Sequence, residues 1–110
     1  MRFVIGDIHG AYLALIQVLD RAKFNFETDQ LISLGDVCDG WPNTAGCIET
    51  LLRIKNLILI RGNHDVWTSD AYLNKLSEDD MHIWQYYGGN ETVKSFKENP
   101  TRIKTYIEFL

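Results

Sequence analysis

The sequence has little of what marks secreted, membrane-spanning or nucleic-acid-binding proteins. Its two cysteines, Cys38 and Cys47, form no Cys-x-x-Cys pair and have no histidine at zinc-finger spacing, so we expect reduced thiols. A net charge of −4 at pH 7 provides no basic surface for nucleic acid or anionic lipid. No apolar run is long enough to cross a membrane, and the start "MRFVIGDIHG" has no leader-like apolar core. We therefore expect a soluble cytoplasmic protein with no nucleic-acid or membrane partner.

The chain also lacks repeats, low-complexity tracts and glycine-rich phosphate loops. Neither G-x-G-x-x-G nor G-x-x-x-x-G-K-S/T follows an apolar run, so the pair Gly88-Gly89 is interpreted as a turn. With 110 residues, 45% of them hydrophobic, the sequence is long enough for one domain with a core of its own. Four aromatic residues either stack on a nucleobase or serve that core, and both interpretations stay open. They are Trp67, Trp84, Tyr86 and Tyr87.

Three short apolar runs, "RFVI", "LISL" and "LILI", are each followed within two residues by a glycine. They are near-continuous rather than alternating, which is typical of parallel strands covered on both faces. Apolar residues recur at helical spacing between the runs, so the order of elements indicates an α/β fold with parallel strands and flanking helices. The predicted strands are residues 2–5, 31–34 and 57–60; the predicted helices contain residues 11–23, 48–54 (N-cap at Asn43 or Thr44), 66–76, 91–97 and 100–109.

Acidic, imidazole and amide side chains follow each apolar run directly. The carboxyl ends of parallel strands meet at one edge of a sheet, where open α/β sheets bind ligands, so we expect these side chains to converge. Clustered carboxylates repel one another unless protons or cations intervene. Oxygen and imidazole ligands favour Mn, Fe, Zn or Mg, and two such ions about 3.5–4 Å apart activate water for phosphoester hydrolysis. Taken singly, each Asp or Asn is more typical of a turn or a helix cap. The residues concerned are Asp7, His9, Asp36, Asp39, Asn63, His64 and Asp65.

The segments "GDIHG", "GDVCDG" and "GNHD" resemble the successive D-x-H, G-D-x-x-D and G-N-H-[D/E] blocks of the calcineurin-like metallophosphoesterases. The resemblance covers residues 3–67 and is closest to the branch of Ser/Thr phosphatases and dinucleoside tetraphosphatases. It implies the N-terminal half of an αββα sandwich, with parallel strands and flanking helices. It also implies a metal-dependent hydrolase whose substrate is a phosphorylated small molecule, a nucleotide or a phosphoprotein.

The resemblance assigns metal-binding roles to four residues. Asp7 and His9 would bind a first divalent ion, Asp36 would bridge it to a second, and Asn63 would bind the second. The complete enzyme would use two ions, drawn from Mn, Fe, Zn or Mg.

The resemblance also implies a catalytic pair and a substrate ligand. His64 would protonate the leaving oxygen and Asp39 would orient its imidazole, the open alternative for Asp39 being a solvated loop acid. Where the protein-phosphatase branch has an Arg-Gly pair that grips the substrate phosphate, this sequence has Gly40-Trp41, which argues against a simple transfer of that specificity. Arg61 is the remaining candidate for binding substrate, although family members often have an arginine there.

The family's C-terminal histidine blocks, which complete the metal shells, are missing. Only His9, His64 and His82 are present, and His82 is assigned a structural or solvent-facing role. We therefore interpret residues 1–110 as a truncated metallophosphoesterase domain with at most one weakly bound ion and little turnover. The alternative function is a non-catalytic metal- or phosphate-binding module, or a half-enzyme that needs a partner chain. The missing second sheet would expose apolar surface and favour a homo-oligomer.

Overall fold

Three parallel strands form the centre of the computed structural model, which describes residues 1–110. They are β1 (Arg2–Ile5), β2 (Gln30–Ser33) and β3 (Asn56–Leu59), and they lie side by side in the order β1-β2-β3. Each strand begins within one residue of its predicted position. The expected α/β class, with parallel strands and flanking helices, is confirmed.

Six α-helices accompany the sheet, and their ends follow local capping chemistry. The side chain of Asn43 accepts a hydrogen bond from the Gly46 N–H at 2.8 Å, as the predicted N-cap. Ser77 caps its helix in the same way by accepting from the Asp80 N–H. The last helix follows a 3-10 turn, Pro100–Arg102. The helices are α1 (Tyr12–Arg21), α2 (Thr44–Leu52), α3 (Asn63–Tyr72), α4 (Glu78–Trp84), α5 (Asn90–Lys97) and α6 (Ile103–Phe109).

The predicted turn at Gly88-Gly89 is a kink within an otherwise helical stretch. A π-helical segment, Gln85–Gly89, joins α4 to α5, and the backbone leaves the helical region at Tyr87 and at Gly88, whose φ is +112°. The kink lets α5 fold back against α2, where the Ser95 hydroxyl accepts a hydrogen bond from the Ala45 N–H at 2.9 Å. No helix combines the length and the apolar character that crossing a bilayer would require.

The core lies on one face of the sheet. Adjacent parallel strands joined in sequence order by right-handed crossovers carry both crossover helices on the same side. Leu31 of β2 points to that side, is 2% exposed, and belongs to the same core cluster as Leu15 of α1 and Ile48 of α2. The site described below lies at the carboxyl edge of this sheet.

The opposite face of the sheet is open in the described chain. We call Val4, Ile32 and Ile58, which are paired across the three strands, the open sheet face. Val4 is 63% exposed and Ile58 is 47% exposed. The prediction that the strands are covered on both faces is therefore wrong for residues 1–110, because an apolar run looks the same in sequence whether one face or both are buried. The expected exposed apolar surface is present.

The two faces should differ in what they contribute to stability. We expect Leu31→Ala to lower the free energy of unfolding by about 2–5 kcal/mol, because it opens a cavity in the core. Val4→Ala on the open sheet face should change it by less than about 1 kcal/mol. Urea unfolding followed by far-ultraviolet circular dichroism measures both values, and equal losses would contradict the assignment of the faces.

Candidate functional site

Two carboxylates and an imidazole converge at the ends of β1 and β2. Asp7, His9 and Asp36 each offer one ligand atom, and these atoms all lie within 4.8 Å of one another. The Nδ1 atom of His9 lies 3.0 Å from the carbonyl oxygen of Cys38. A carbonyl only accepts, so Nδ1 carries the proton and the lone pair of Nε2 is free for a cation. This donor set fits a divalent metal ion.

The electrostatics of the cluster also favour a bound positive charge. Burial acts to lower the pKa of His9, but the hydrogen bond to the Cys38 carbonyl and the charges of Asp36 and Asp7 outweigh it. The pKa of His9 is therefore raised above its ordinary value. The His9 Nε2 atom lies 3.4 Å from Asp7 Oδ2. The cluster stabilises a proton on the imidazole in the same place where it would stabilise a metal ion.

The backbone of these loops turns sharply to bring the side chains together. His9 and Asp36 have φ values of 48° and 54°, in the left-handed region that Asp and His enter more readily than most residues. The N–H groups of Ile8 and His9 both donate to the Asp36 carbonyl, at 3.0 and 2.8 Å. At Gly35 (φ +96°), a Cβ atom would collide with the backbone of Gly62. Glycine there allows the loops after β2 and β3 to touch.

The buried carboxylate of Asp65 ties these two loops together. Its Oδ2 atom accepts hydrogen bonds from the N–H groups of Asp36 at 2.8 Å and Gly62 at 3.0 Å. Its Oδ1 atom accepts from the Val37 N–H at 2.9 Å and from the Cys38 thiol at 3.3 Å. Because all four partners donate, the carboxylate is fully satisfied in a site without solvent. Sequence reasoning placed Asp65 in the cluster but gave it no role.

Asn63 and His64 face Asp36 from the first turn of α3. The His64 N–H donates to Asp36 Oδ1 at 2.9 Å. The amide group of Asn63 lies 3.1 Å from both carboxylate oxygens of Asp36. If the amide nitrogen of Asn63 faces Asp36, it donates a hydrogen bond to both carboxylate oxygens. If the amide oxygen faces Asp36, it is an acceptor facing two other acceptors, and a cation must lie between them. This arrangement suits a carboxylate that bridges two ions.

The imidazole of His64 is held by a buried carboxylate. Its Nδ1 atom lies 3.0 Å from Asp39 Oδ2, so Nδ1–H donates to the carboxylate and Nε2 is left for other partners. Asp39 is 2% exposed, which excludes the alternative of a solvated loop acid. It also accepts hydrogen bonds from Thr68, Thr92 and Trp84. Sequence reasoning did not assign these three donors to Asp39, because their hydrogen bonds span 29 to 53 positions.

A small open cavity of about 220 Å³ lies in front of the two histidines. Arg61, the predicted substrate ligand, does not line this cavity; it is exposed and makes no side-chain hydrogen bond or ion pair. His82 is exposed on α4. Among the four aromatic residues, Trp84 belongs to the buried interior and Tyr87 lies at the cavity. The cavity is lined by His9, Asp39, Gly40, Trp41, His64 and Tyr87.

The thiols of the chain are buried and unpaired. Burial, together with the negative charges of Asp39 and Asp65, raises the pKa of the Cys38 thiol far above its ordinary value. Burial raises the pKa of Cys47 to about 12. Both groups therefore stay protonated near neutral pH and contribute no thiolate to the metal cluster.

Comparison with known proteins agrees with this arrangement. Residues 3–108 match the family described as calcineurin-like phosphoesterase. The chain is 35% identical over 88 residues to serine/threonine-protein phosphatase 1 of Salmonella typhimurium, a match that covers 80% of this chain and 38% of that protein. It is 40% identical over 71 residues to the symmetrical bis(5'-nucleosyl)-tetraphosphatase of Erwinia tasmaniensis, covering 64% of this chain and 26% of that protein. The chain thus spans well under half of these relatives, and the resemblance drawn from the three blocks is confirmed, including its branch.

Asp65 should be essential for the stability of the site loops. In Asp65→Asn, an amide NH₂ would face backbone donors that now point at a carboxylate oxygen. We expect the free energy of unfolding to fall by about 2–3 kcal/mol. Asp70→Asn, the same substitution on the same helix, should change it by less than about 0.5 kcal/mol. Chemical denaturation measures both, and an Asp65→Asn variant as stable as Asp70→Asn would refute the role.

Proposed function

Because this chain belongs to the calcineurin-like phosphoesterase family, we propose that its site serves the metal-dependent hydrolysis of a phosphoester or a nucleotide phosphoanhydride. The observation that carries the proposal is the convergence of Asp7, His9 and Asp36 beside an imidazole held by a carboxylate. When bound, a divalent cation acts as a Lewis acid on the phosphoryl group and makes water a better nucleophile at neutral pH. The residues of the chain hold that ion and handle the protons.

Four side chains would hold the metal ions. Asp7, His9 and Asp36 supply two carboxylates and an imidazole whose proton is fixed on the far nitrogen. Asp36 would also bridge to a second ion, toward which Asn63 would turn its amide oxygen. The described chain supplies three donors for the first ion and two for the second, so it should bind at most one ion, and weakly. Mn, Fe, Zn and Mg all accept these donor types.

His64 would supply the proton that the leaving group needs. Its Nδ1–H is engaged by Asp39, so an imidazolium can release a proton only from Nε2. The His64 and His9 rings lie 5.0 Å apart between centroids, so the proton donor sits beside the metal cluster. Asp39 would keep the imidazole oriented.

The substrate is proposed to be a phosphoprotein, a dinucleoside polyphosphate or another phosphorylated small molecule. The relatives are named as acting on serine/threonine phosphoproteins and on bis(5'-nucleosyl) tetraphosphates. Arg61, exposed two residues before Asn63, is the proposed phosphate ligand. The arginine of the protein-phosphatase branch is replaced by Gly40, which has φ +125° and lies against the backbone and Cβ of His9.

An alternative function has one specific observation in its favour. The second ion would meet only Asp36 and Asn63 in the described chain, a poor shell for a transition metal. A module that binds metal or phosphate without turnover, or one that needs a partner chain, would have this property. A homo-oligomer formed through the open sheet face is also proposed, because that face exposes apolar side chains. The unpaired thiols of Cys38 and Cys47 support a proposed cytoplasmic location. The assignment of residues 1–110 to one metallophosphoesterase domain stays a prediction.

Divalent metal binding should depend on the cluster. Titration calorimetry with Mn²⁺ should show about one ion per chain at most. Asp36→Asn and His9→Gln should each weaken the affinity at least tenfold, about 1.4 kcal/mol, because each removes a ligand. Asp70→Asn should bind as the unmodified chain does. Binding that survives Asp36→Asn unchanged would place the ion elsewhere.

Catalysis by His64 should depend on the leaving group. In the presence of Mn²⁺ we expect slow hydrolysis, and His64→Asn should lower the rate on an alkyl phosphoester by about 10²–10⁴-fold, because an alkoxide needs a proton. The rate on p-nitrophenyl phosphate should fall much less, since p-nitrophenolate leaves without protonation.

The comparison of the two esters separates the possible outcomes. Equal losses on both esters would contradict the role of His64 as general acid. Metal binding that depends on Asp36, without hydrolysis of either ester, would favour the non-catalytic module. Asp70→Asn is the matched control for both measurements.

A further inference from the structure

We propose that Trp84 and Thr92 are positioning residues that hold the Asp39 carboxylate and thereby fix the tautomer of His64. The inference rests on the proposed function, which makes His64 the proton donor. Neither residue makes a hydrogen bond to the metal cluster or to the histidine. They act through Asp39, from a part of the chain beyond the three sequence blocks.

The hydrogen bonds around Asp39 assign the Trp84 indole and the Thr92 hydroxyl as donors to the carboxylate. Trp84 Nε1 lies 2.9 Å from Asp39 Oδ2, and an indole N–H can only donate. Thr92 Oγ1 lies 2.6 Å from Asp39 Oδ1 and also accepts the backbone N–H of Asp39 at 2.9 Å. Its single hydroxyl proton is therefore free to point at the carboxylate. Thr68 Oγ1 contributes a further donor at 2.9 Å.

These donors engage both oxygens of the Asp39 carboxylate. The carboxylate accepts from an indole and two hydroxyls, all in a region without solvent. In such a region a polar group without a hydrogen-bond partner is costly, and the hydrogen bonds that form are strong. A carboxylate held in this way presents Oδ2 to His64 as an acceptor, so His64 must donate from Nδ1. The tautomer of His64 follows from donors supplied by α4 and α5.

The glycines between these helices make the arrangement possible. Gly40 N–H donates to the Gly88 carbonyl at 3.3 Å, so the kinked segment lies directly on the Asp39 loop. A Cβ atom on Gly88 would lie 2.5 Å from the Gly40 nitrogen, and one on Gly89 would collide with the indole of Trp84. Backbone contact at this kink brings Trp84 and Thr92 to the same carboxylate from two helices.

The competing explanation is that both residues only fill the core. Trp84 is 2% exposed and Thr92 is fully buried, so their loss would destabilise the chain under either explanation. Stability alone cannot separate the two. The two explanations can be separated by finding which ring nitrogen of His64 carries the proton, because packing without hydrogen bonds would not fix that position.

Nitrogen-15 spectra of the metal-free 110-residue chain test the proposal. The chain has three histidines, so ¹⁵N-histidine labelling gives few signals, and His64→Asn assigns the one of interest. At a pH where the ring is neutral, the His64 signal of the unmodified chain should show a protonated Nδ1 and an unprotonated Nε2. Trp84→Phe and Thr92→Val should each lose part of this signature and become a mixture of tautomers. Thr92→Ser, which restores the hydroxyl, should recover it.

The control is Trp67→Phe, the same substitution at a second tryptophan near His64. Trp67 lies 5.6 Å from the His64 ring between centroids but makes no hydrogen bond to Asp39. In the Trp67→Phe variant, the His64 signal should keep the signature of a protonated Nδ1.

Each remaining outcome counts against the proposal. An unchanged signature in folded Thr92→Val and Trp84→Phe would overturn it. A Thr92→Val variant that loses its folded circular dichroism spectrum while Thr92→Ser stays folded would assign the hydroxyl to stability and would also overturn it. Because the spectra need neither metal nor turnover, they succeed or fail independently of the hydrolysis assay.

Discussion

The Asp65 carboxylate is the interaction on which the rest of the site depends. It accepts the backbone N–H groups of Asp36, Val37 and Gly62, and so fixes the loop after β2 against the loop after β3. The loop after β1 is then held by the Asp36 carbonyl, which accepts from the Ile8 and His9 N–H groups. One buried side chain therefore organises the ends of all three strands. The parallel strands bring the three loops to one edge of the sheet, and Asp65 fixes the position of the loops relative to one another.

Two layers with different physical demands are built on this frame. Asp7 is exposed and His9 is half-buried, so both side chains are open to solvent. Asp39 lies beneath them, out of solvent, where each hydrogen bond is stronger than it would be in water. His64 belongs to both layers, with Nδ1 bound to the interior and Nε2 left for the cavity. The proposed function, in which the site would bind an ion and deliver a proton, needs both environments within a few residues.

Much of this could be predicted from sequence because it is local. The strand ends, the helix cap at Asn43 and the convergence of the three blocks follow from periodicity and from the geometry of parallel sheets. Which face of the sheet is open could not be predicted, since Val and Ile runs do not reveal which face is covered. The roles of Asp65, Trp84 and Thr92 could not be predicted either. The hydrogen bond between Asp65 and Val37, and those from Trp84 and Thr92 to Asp39, join positions 28 to 53 residues apart and exist only once the chain is folded.

The central claim is that a divalent cation binds where the carboxyl ends of the strands meet. Paramagnetic broadening by substoichiometric Mn²⁺ tests it most directly, because the effect falls steeply with distance from the ion. The account predicts the strongest broadening at Asp7, His9 and Asp36, and weak broadening at the amino ends of the strands, roughly 10 Å or more away. Broadening that is strongest at the acidic first turn of α4, Glu78 to Asp80, or that is equal at both ends of the sheet, would contradict it.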